Sequence, residues 1–98
     1  MPALTAKQIG LYLKAGPNWS KRGQIISRTF KFEGFMGSIN FVGRIAKKAE
    51  KATHHPDINI RWNKVTLTLT THDEGGLTEK DFSLARQFDE SFSKFLES

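Results

Sequence analysis

The sequence predicts an α+β protein of two layers, in which three helices pack on one face of an antiparallel sheet of about four strands. Segments with apolar residues three or four positions apart, as on a helix, are separated by segments with alternating apolar residues, as in half-buried strands. Helices with one apolar stripe and strands with one apolar face can bury these surfaces against each other. With 98 residues, the chain is expected to form a single domain, residues 1–98.

The first helix is predicted over about residues 6 to 15. Thr5 and Gln8 fit a capping box, in which each side chain bonds the backbone of the other residue. Gly16 and Pro17 then end the helix. Its short apolar stripe comprises Ile9, Tyr12 and Leu13.

A strand with one buried face is predicted over residues 25 to 32. It follows a polar segment around Trp19, which is either a brief strand or a loop. Apolar and polar side chains alternate along the predicted strand. The expected buried side is Ile26, Phe30 and Phe32, and the other side is Ser27, Thr29 and Lys31.

The second helix is predicted from Phe35 to about Thr53. Pro56 ends it, because proline has no backbone N–H and disfavours helical backbone at the preceding residue. Glu50 and His54 lie one helical turn apart, so we expect the carboxylate to orient the imidazole. The predicted apolar stripe is Phe35, Ile39, Val42, Ala46 and Ala49, with Met36 and Ile45 at its margins.

Two strands and a last helix complete the chain. The strands are predicted over residues 58 to 62 and 65 to 70, with a tight turn at Asn63-Lys64. Thr78 is expected to cap the helix, and Asp81 to stabilise its N-terminus in a structural role. The helical stripe is Phe82, Ala85, Phe88, Phe92 and Phe95. Because the open edges of a small sheet are often closed by a second copy, we expect a homodimer or homotetramer.

Composition excludes several classes of function. Cysteine is absent, which rules out disulfides, thiolate metal ligands and a cysteine nucleophile, and fits a reducing compartment. No apolar run is long enough to span a membrane and no targeting segment is recognisable, so we expect a cytoplasmic protein. The net charge of +5 arises from basic residues spread over the whole chain, which makes nucleic-acid binding the less favoured alternative.

All three histidines, His54, His55 and His72, lie in the segment from Glu50 to His72. Imidazole has an ordinary pKa of about 6.5 and so gives or takes a proton near neutral pH. The sequence has no glycine-rich phosphate loop, no GxSxG elbow and no HExxH motif. The cluster therefore favours acid–base chemistry without a covalent intermediate.

Two other interpretations of the histidines stay open on the residues alone. Three histidines and a carboxylate can ligate zinc, although no two have a spacing that points both at one ion. In a purely structural role, His54 would cap its helix, His55 and Pro56 would shape a turn, and His72 would close a strand. Strict alternation would place His72 on the polar face, so its strand must end or bulge near Thr70 for His72 to join the others.

Five spaced elements together resemble the signature of the pterin-4a-carbinolamine dehydratases, a family also known as the dimerization cofactor of a homeodomain transcription factor. These elements are Glu50, the triplet His54-His55-Pro56, Trp62, His72 and Asp81. Trp19 and the segment Gly75-Gly76-Leu77-Thr78 also fit, so that the resemblance covers almost the whole chain. Thr53 is a departure, because some members carry an acidic residue there.

The resemblance implies dehydration of 4a-hydroxytetrahydrobiopterin, the 4a-carbinolamine, to quinonoid dihydropterin and water. This hydro-lyase reaction belongs to tetrahydrobiopterin recycling and requires no metal and no cofactor. By the match, His54 and His72 would be the acid–base pair, and Glu50 would orient the cluster as a third catalytic residue. The implied pterin-binding residues are His55, Pro56, Trp62 and Trp19.

A different class of function is an interaction module that binds a protein partner or nucleic acid. The histidines would then be incidental. The second name of the family carries such a role, but no feature of this sequence marks the surface that would perform it.

Overall fold

Three helices and a four-stranded antiparallel sheet make up the structure, a computed structural model that describes residues 2–97. This confirms the predicted fold class. A single turn of 3-10 helix, His72–Glu74, precedes the last helix. The helices are α1 (Ala6–Ala15), α2 (Phe35–Ala52) and α3 (Glu79–Glu97), and the strands are β1 (Ser20–Arg22), β2 (Ile25–Lys31), β3 (Asp57–Arg61) and β4 (Lys64–Leu69).

The sheet has the strand order β1-β2-β4-β3, so β2 and β4 are central while β1 and β3 form the edges. Phe30 pairs with Val65, and both side chains are buried under the helices. The neighbouring pair, Thr29 and Thr66, lies on the opposite face, where the two hydroxyl oxygens are 2.8 Å apart. The alternation of the sequence thus separates a core face from a polar face.

The apolar stripe of α3 packs on the core face as predicted, because Phe82, Ala85 and Phe88 are all buried. Phe92 continues the stripe, with its ring centroid 5.1 Å from that of Phe30. Among residues 2–97, no helix has the length and hydropathy needed to cross a membrane.

The second helix buries a face that differs in part from the one predicted. Its buried residues are Ser38, Phe41, Ile45 and Ala49. The predicted stripe members Phe35 and Ile39 are 49 and 38% exposed, and Met36 at the predicted margin is 63% exposed. The Phe41 ring sets this orientation, because its centroid lies 5.0 Å from that of Phe30 and 5.1 Å from that of Phe32. The prediction of a helix is confirmed. The predicted stripe is right for Ala49, Val42 and the marginal Ile45 and wrong for its N-terminal part.

The turn between β3 and β4 lies one residue earlier than predicted. Arg61 pairs with Lys64, so the turn residues are Trp62 and Asn63. Asn63 is fixed by Phe32, whose N–H donates to the Asn63 carbonyl at 2.8 Å and whose carbonyl accepts from Nδ2 at 3.1 Å. Trp62 has a positive φ of 53° and is 67% exposed, which excludes a place in the core.

Asp89 of α3 joins three parts of the fold. Its Oδ1 accepts hydrogen bonds from the Trp19 indole Nε1 at 2.9 Å and from Arg28 Nη1 at 2.6 Å. The Arg28 guanidinium also lies 4.3 Å from the centroid of the Phe30 ring. The carboxylate therefore holds α3 to β2 and to the segment before β1.

We expect Asp89→Ala to lower the free energy of unfolding by about 2 kcal/mol, because the partly buried charge of Arg28 loses its partner. The measurement is urea unfolding followed by circular dichroism. Glu90→Ala, at the next and exposed position of α3, is the control and should change stability by less than about 0.5 kcal/mol. Equal losses in both variants would contradict the role assigned to Asp89.

Candidate functional site

The two adjacent histidines follow the C-terminus of α2. Thr53 caps this helix in a left-handed conformation with a φ of 52°. The backbone N–H of Thr53 donates to the carbonyl of Glu50, and the N–H of His54 donates to the carbonyl of Ala49, both at 3.1 Å. The chain therefore leaves the helix at Thr53, and the side chains of His54 and His55 no longer follow helical spacing.

His54 contacts the buried carboxylate of Asp81. The distance from His54 Nε2 to Asp81 Oδ1 is 2.6 Å, and the two side chains are 13% and 0% exposed, respectively. Asp81 stands at the third position of α3, where the helix dipole stabilises a negative charge. The pair thus links the end of α2 to the start of α3.

The second oxygen of Asp81 is also occupied. Oδ2 accepts hydrogen bonds from the Thr71 hydroxyl at 2.8 Å and from the backbone N–H of Thr78 at 2.9 Å. The hydroxyl oxygens of Thr71 and Thr78 lie 3.0 Å apart. The predicted capping role of Asp81 is confirmed, and the same carboxylate also holds His54.

Glu50 bonds to His55 instead of His54. Its Oε1 lies 2.6 Å from His55 Nε2, and the two side chains are 77% and 60% exposed, respectively. The predicted contact between Glu50 and His54 is wrong, because it assumed helical backbone through Thr53. The site therefore has one sheltered carboxylate–imidazole pair and one that is open to solvent.

His72 lies in the turn that follows β4. This strand ends at Leu69, which confirms the expected end near Thr70, and Thr71 then forms an isolated bridge with Gly76. The imidazole of His72 is exposed, and within residues 2–97 it has no hydrogen bond to either of the other histidines. No group of three or more His, Asp or Glu side chains in this part of the chain is arranged to hold a metal ion.

The remaining predicted binding residues occupy three different environments. Pro56 is half-buried beside the histidine pair, and Trp62 is exposed in the β3–β4 turn. Trp19 is only 5% exposed and its indole N–H is bonded to Asp89, so it presents no free polar atom to a ligand. Among residues 2–97, no hydrogen bond or ring contact joins these three side chains.

A groove of about 560 Å³ lies elsewhere, between α1 and α3. Its lining includes Tyr12, Trp19 and Glu79 but none of the histidines. Desolvation and the Glu79 carboxylate, 3.2 Å from the phenol oxygen, raise the pKa of Tyr12. Imidazole is the side chain whose ordinary pKa lies closest to neutral pH, and the groove has none, so we place the candidate site at the histidines.

Comparison with known proteins identifies the family. A sequence model described as Pterin 4 alpha carbinolamine dehydratase matches residues 2–91. The chain belongs to the pterin-4a-carbinolamine dehydratase family. A relative from a Picosynechococcus species is 53% identical over 87 residues, covering 89% of this chain and 95% of its own. A relative from Chloroflexus aurantiacus is 52% identical over 90 residues, which cover 92% of this chain and 97% of the relative. Both relatives carry the provisional name of pterin-4-alpha-carbinolamine dehydratase.

Two solved structures share this fold. The crystal structure of a transcriptional coactivator/pterin dehydratase from Brucella melitensis has a TM-score of 0.86 and 36% identity, covering 91% of this chain and 97% of its own. A pterin dehydratase-like RuBisCO assembly factor of the alpha-carboxysome has a TM-score of 0.66 and 23% identity, covering 76% and 89%. The second likeness shows the fold alone.

Sequence reasoning includes Asp81 in the signature but misses its contact with His54, and it misses Thr71 altogether. Asp81 has a sufficient explanation as a helix cap, which hides its contact with His54. Thr71 is one of several threonines along the strand pattern, and only its position directly before His72 sets it apart. Chemically, the arrangement offers imidazoles for proton transfer and a carboxylate that fixes the orientation of one of them.

We expect Thr53→Gly to raise the free energy of unfolding by about 0.5 to 1 kcal/mol. A β-branched residue is strained in left-handed backbone, whereas glycine adopts it freely, and this gain exceeds the entropy that glycine adds to the unfolded chain. Urea unfolding tests the change. Ala52→Gly, one position earlier and inside the helix, is the matched control and should lose about 1 kcal/mol. A loss in both variants would contradict strain at Thr53.

Proposed function

We propose that this chain dehydrates 4a-hydroxytetrahydrobiopterin to quinonoid dihydropterin and water by histidine general acid–base catalysis. The observation that carries the proposal is the largely buried His54–Asp81 pair, at 2.6 Å, in a chain of the dehydratase family. A carboxylate that accepts from one imidazole nitrogen holds the ring for proton transfer at the other. The names of the relatives support the pterin as the class of substrate.

The reaction transfers two protons. The C4a hydroxyl takes up one proton and leaves as water, while a ring N–H of the pterin gives one to a base. We assign these transfers to His54 and His72. Their proximity is supported by Thr71, which directly precedes His72 and bonds to the same Asp81 that holds His54.

The other site residues have supporting roles in this proposal. Glu50 orients His55, to which it is bonded, and His55 with Pro56 contacts the pterin. Trp62 and Trp19 are the remaining proposed binding residues. No metal or cofactor is required, because two imidazoles supply both proton transfers. The proposed setting is tetrahydrobiopterin recycling in the cytoplasm, which the absence of cysteine fits.

We expect His54→Ala and His72→Ala each to slow the dehydration by about 10² to 10⁴, because each removes one proton-transfer group. The substrate is generated in situ and its decay is followed by absorbance, with circular dichroism to establish folding. Ser93→Ala, at an exposed position of α3, is the control and should retain the wild-type rate. A wild type no faster than buffer would refute the dehydratase proposal.

We also propose a homodimer or homotetramer. Two surfaces support this state: the edge strand β3, where Ile58 is 40% exposed, and the apolar side chains Phe35, Met36 and Ile39 on α2. An unpaired strand edge and an exposed apolar patch are both typical of contacts between copies.

Sedimentation equilibrium should give two or four times the chain mass of 11.1 kDa. Ile39→Lys should weaken the association by placing a charge in the apolar patch of α2. Asn40→Lys, at the exposed neighbouring position, adds the same charge without removing an apolar side chain, and it should weaken the association less. A monomer at all concentrations would contradict the proposal.

A second candidate function is a protein-interaction module. It is favoured by the exposed apolar residues of α2 and by the name of the Brucella melitensis structure, a transcriptional coactivator/pterin dehydratase. Binding of nucleic acid by the dispersed basic residues is a weaker variant of this candidate, and would be marked by a steep loss of affinity with salt.

A further inference from the structure

We propose that Thr71 and Thr78 are positioning residues that act through Asp81 to hold His54 with its proton on Nε2, leaving Nδ1 as the nitrogen that exchanges a proton with the substrate. The inference rests on the proposed function for the identity of the substrate, but its geometry stands independently. The resemblance assigns no catalytic or pterin-binding role to either threonine.

The hydrogen bonds around Asp81 can run in only one direction. The Thr71 hydroxyl donates its single proton to Asp81 Oδ2, so its bond to Thr78 must use the proton of the Thr78 hydroxyl. The Thr78 oxygen in turn accepts from the backbone N–H of Lys80, at 3.3 Å. The order is therefore Lys80 N–H to Thr78, Thr78 to Thr71, and Thr71 to Asp81.

This series begins at the N-terminus of α3. The N–H of Lys80 and that of Thr78, which bonds directly to Asp81, belong to the first turn and its cap, where backbone N–H groups concentrate positive charge. Each hydroxyl both accepts and donates, and consecutive hydrogen bonds of this kind strengthen one another inside a protein. Thr78 and Asp81 are fully buried and Thr71 is half-buried, which limits the access of water to these bonds.

The consequence for His54 concerns its two ring nitrogens. Asp81 Oδ2 receives two hydrogens, and an ionised carboxylate has no hydrogen to give, so we assign Nε2, 2.6 Å from Oδ1, as the donor. Nδ1 has no hydrogen-bond partner in the part of the chain that the structure describes. Because no buried side-chain nitrogen or oxygen among residues 2–97 lacks a partner, Nδ1 must be accessible to solvent. It is the nitrogen that a substrate can reach.

The first measurement is the tautomer of His54 by two-bond ¹H–¹⁵N NMR in alkaline solution, where a free imidazole is neutral. The His54 signals are assigned by their loss in His54→Gln. We expect a protonated, pyrrole-type Nε2 and an unprotonated, pyridine-type Nδ1 in the wild type. The reverse assignment would overturn the proposal, whatever the behaviour of any variant.

The second measurement compares Thr71→Val, which keeps the shape and removes the hydroxyl, with Thr71→Ser, which restores it. We expect Thr71→Val to lower kcat about tenfold with little change in KM, and Thr71→Ser to recover most of the loss. Thr66→Val is the matched control, because it breaks the similar threonine pair with Thr29 on the polar face of the sheet and should leave kcat unchanged. Wild-type kcat in Thr71→Val, or no recovery in Thr71→Ser, would contradict the proposal.

Asp81→Asn tests the direction of the chain of bonds. The amide oxygen of this variant would still accept the hydrogen bonds from Thr71 and Thr78, so the amide NH₂ group would face Nε2. Because NH₂ donates, Nε2 would have to accept, and the ring proton would move to Nδ1. We expect the NMR signals of the two nitrogens to exchange character and kcat to fall by about 10² or more. An unchanged tautomer in Asp81→Asn would contradict the proposal.

The two proposals fail in different ways. If the wild type does not dehydrate the pterin, the proposed function fails while the NMR results still decide which ring nitrogen of His54 carries the proton. If the wild type is active but its His54 carries the proton on Nδ1, the positioning role fails and the proposed function stands.

Discussion

The Asp81 carboxylate is the interaction on which the arrangement of the site depends. Its side chain is fully buried, and it accepts hydrogen bonds from His54, Thr71 and the backbone of Thr78. These three donors come from the end of α2, the end of β4 and the start of α3. A buried carboxylate without such donors would be strongly destabilising, so the three segments meet where Asp81 requires them.

The fold follows from the sequence because its signals are local. Capping by Thr5 and Gln8, alternation along β2 and β4, and the spacing of phenylalanines in α3 each appear within one segment. The buried face of α2 does not follow in this way. Apolar residues occur on two sides of that helix, and the choice between them is made by Phe41 packing on Phe30 and Phe32 from another part of the chain.

The candidate site is only half evident from the sequence for a related reason. The histidines can be found by their chemistry, but their partners depend on one backbone angle. The left-handed conformation of Thr53, at a φ of 52°, ends the helical register that would have placed His54 beside Glu50. Threonine is an unusual residue for that conformation, so no rule based on residue type predicts it. The contact with Asp81 then depends on residues 27 positions apart in the chain.

The two tryptophans of this chain report on different parts of the molecule. Trp19 is buried, with its indole N–H bonded to Asp89 and its ring edge against Phe30, whereas Trp62 is largely exposed in the β3–β4 turn. Indole emission depends on the polarity around the ring, so Trp19 acts as an intrinsic optical probe of the docking of α3 on the sheet. The emission of Trp62 would independently report the binding of a ligand or a second copy at the β3–β4 turn. Intrinsic tryptophan fluorescence can therefore follow both the interior and the surface of this fold.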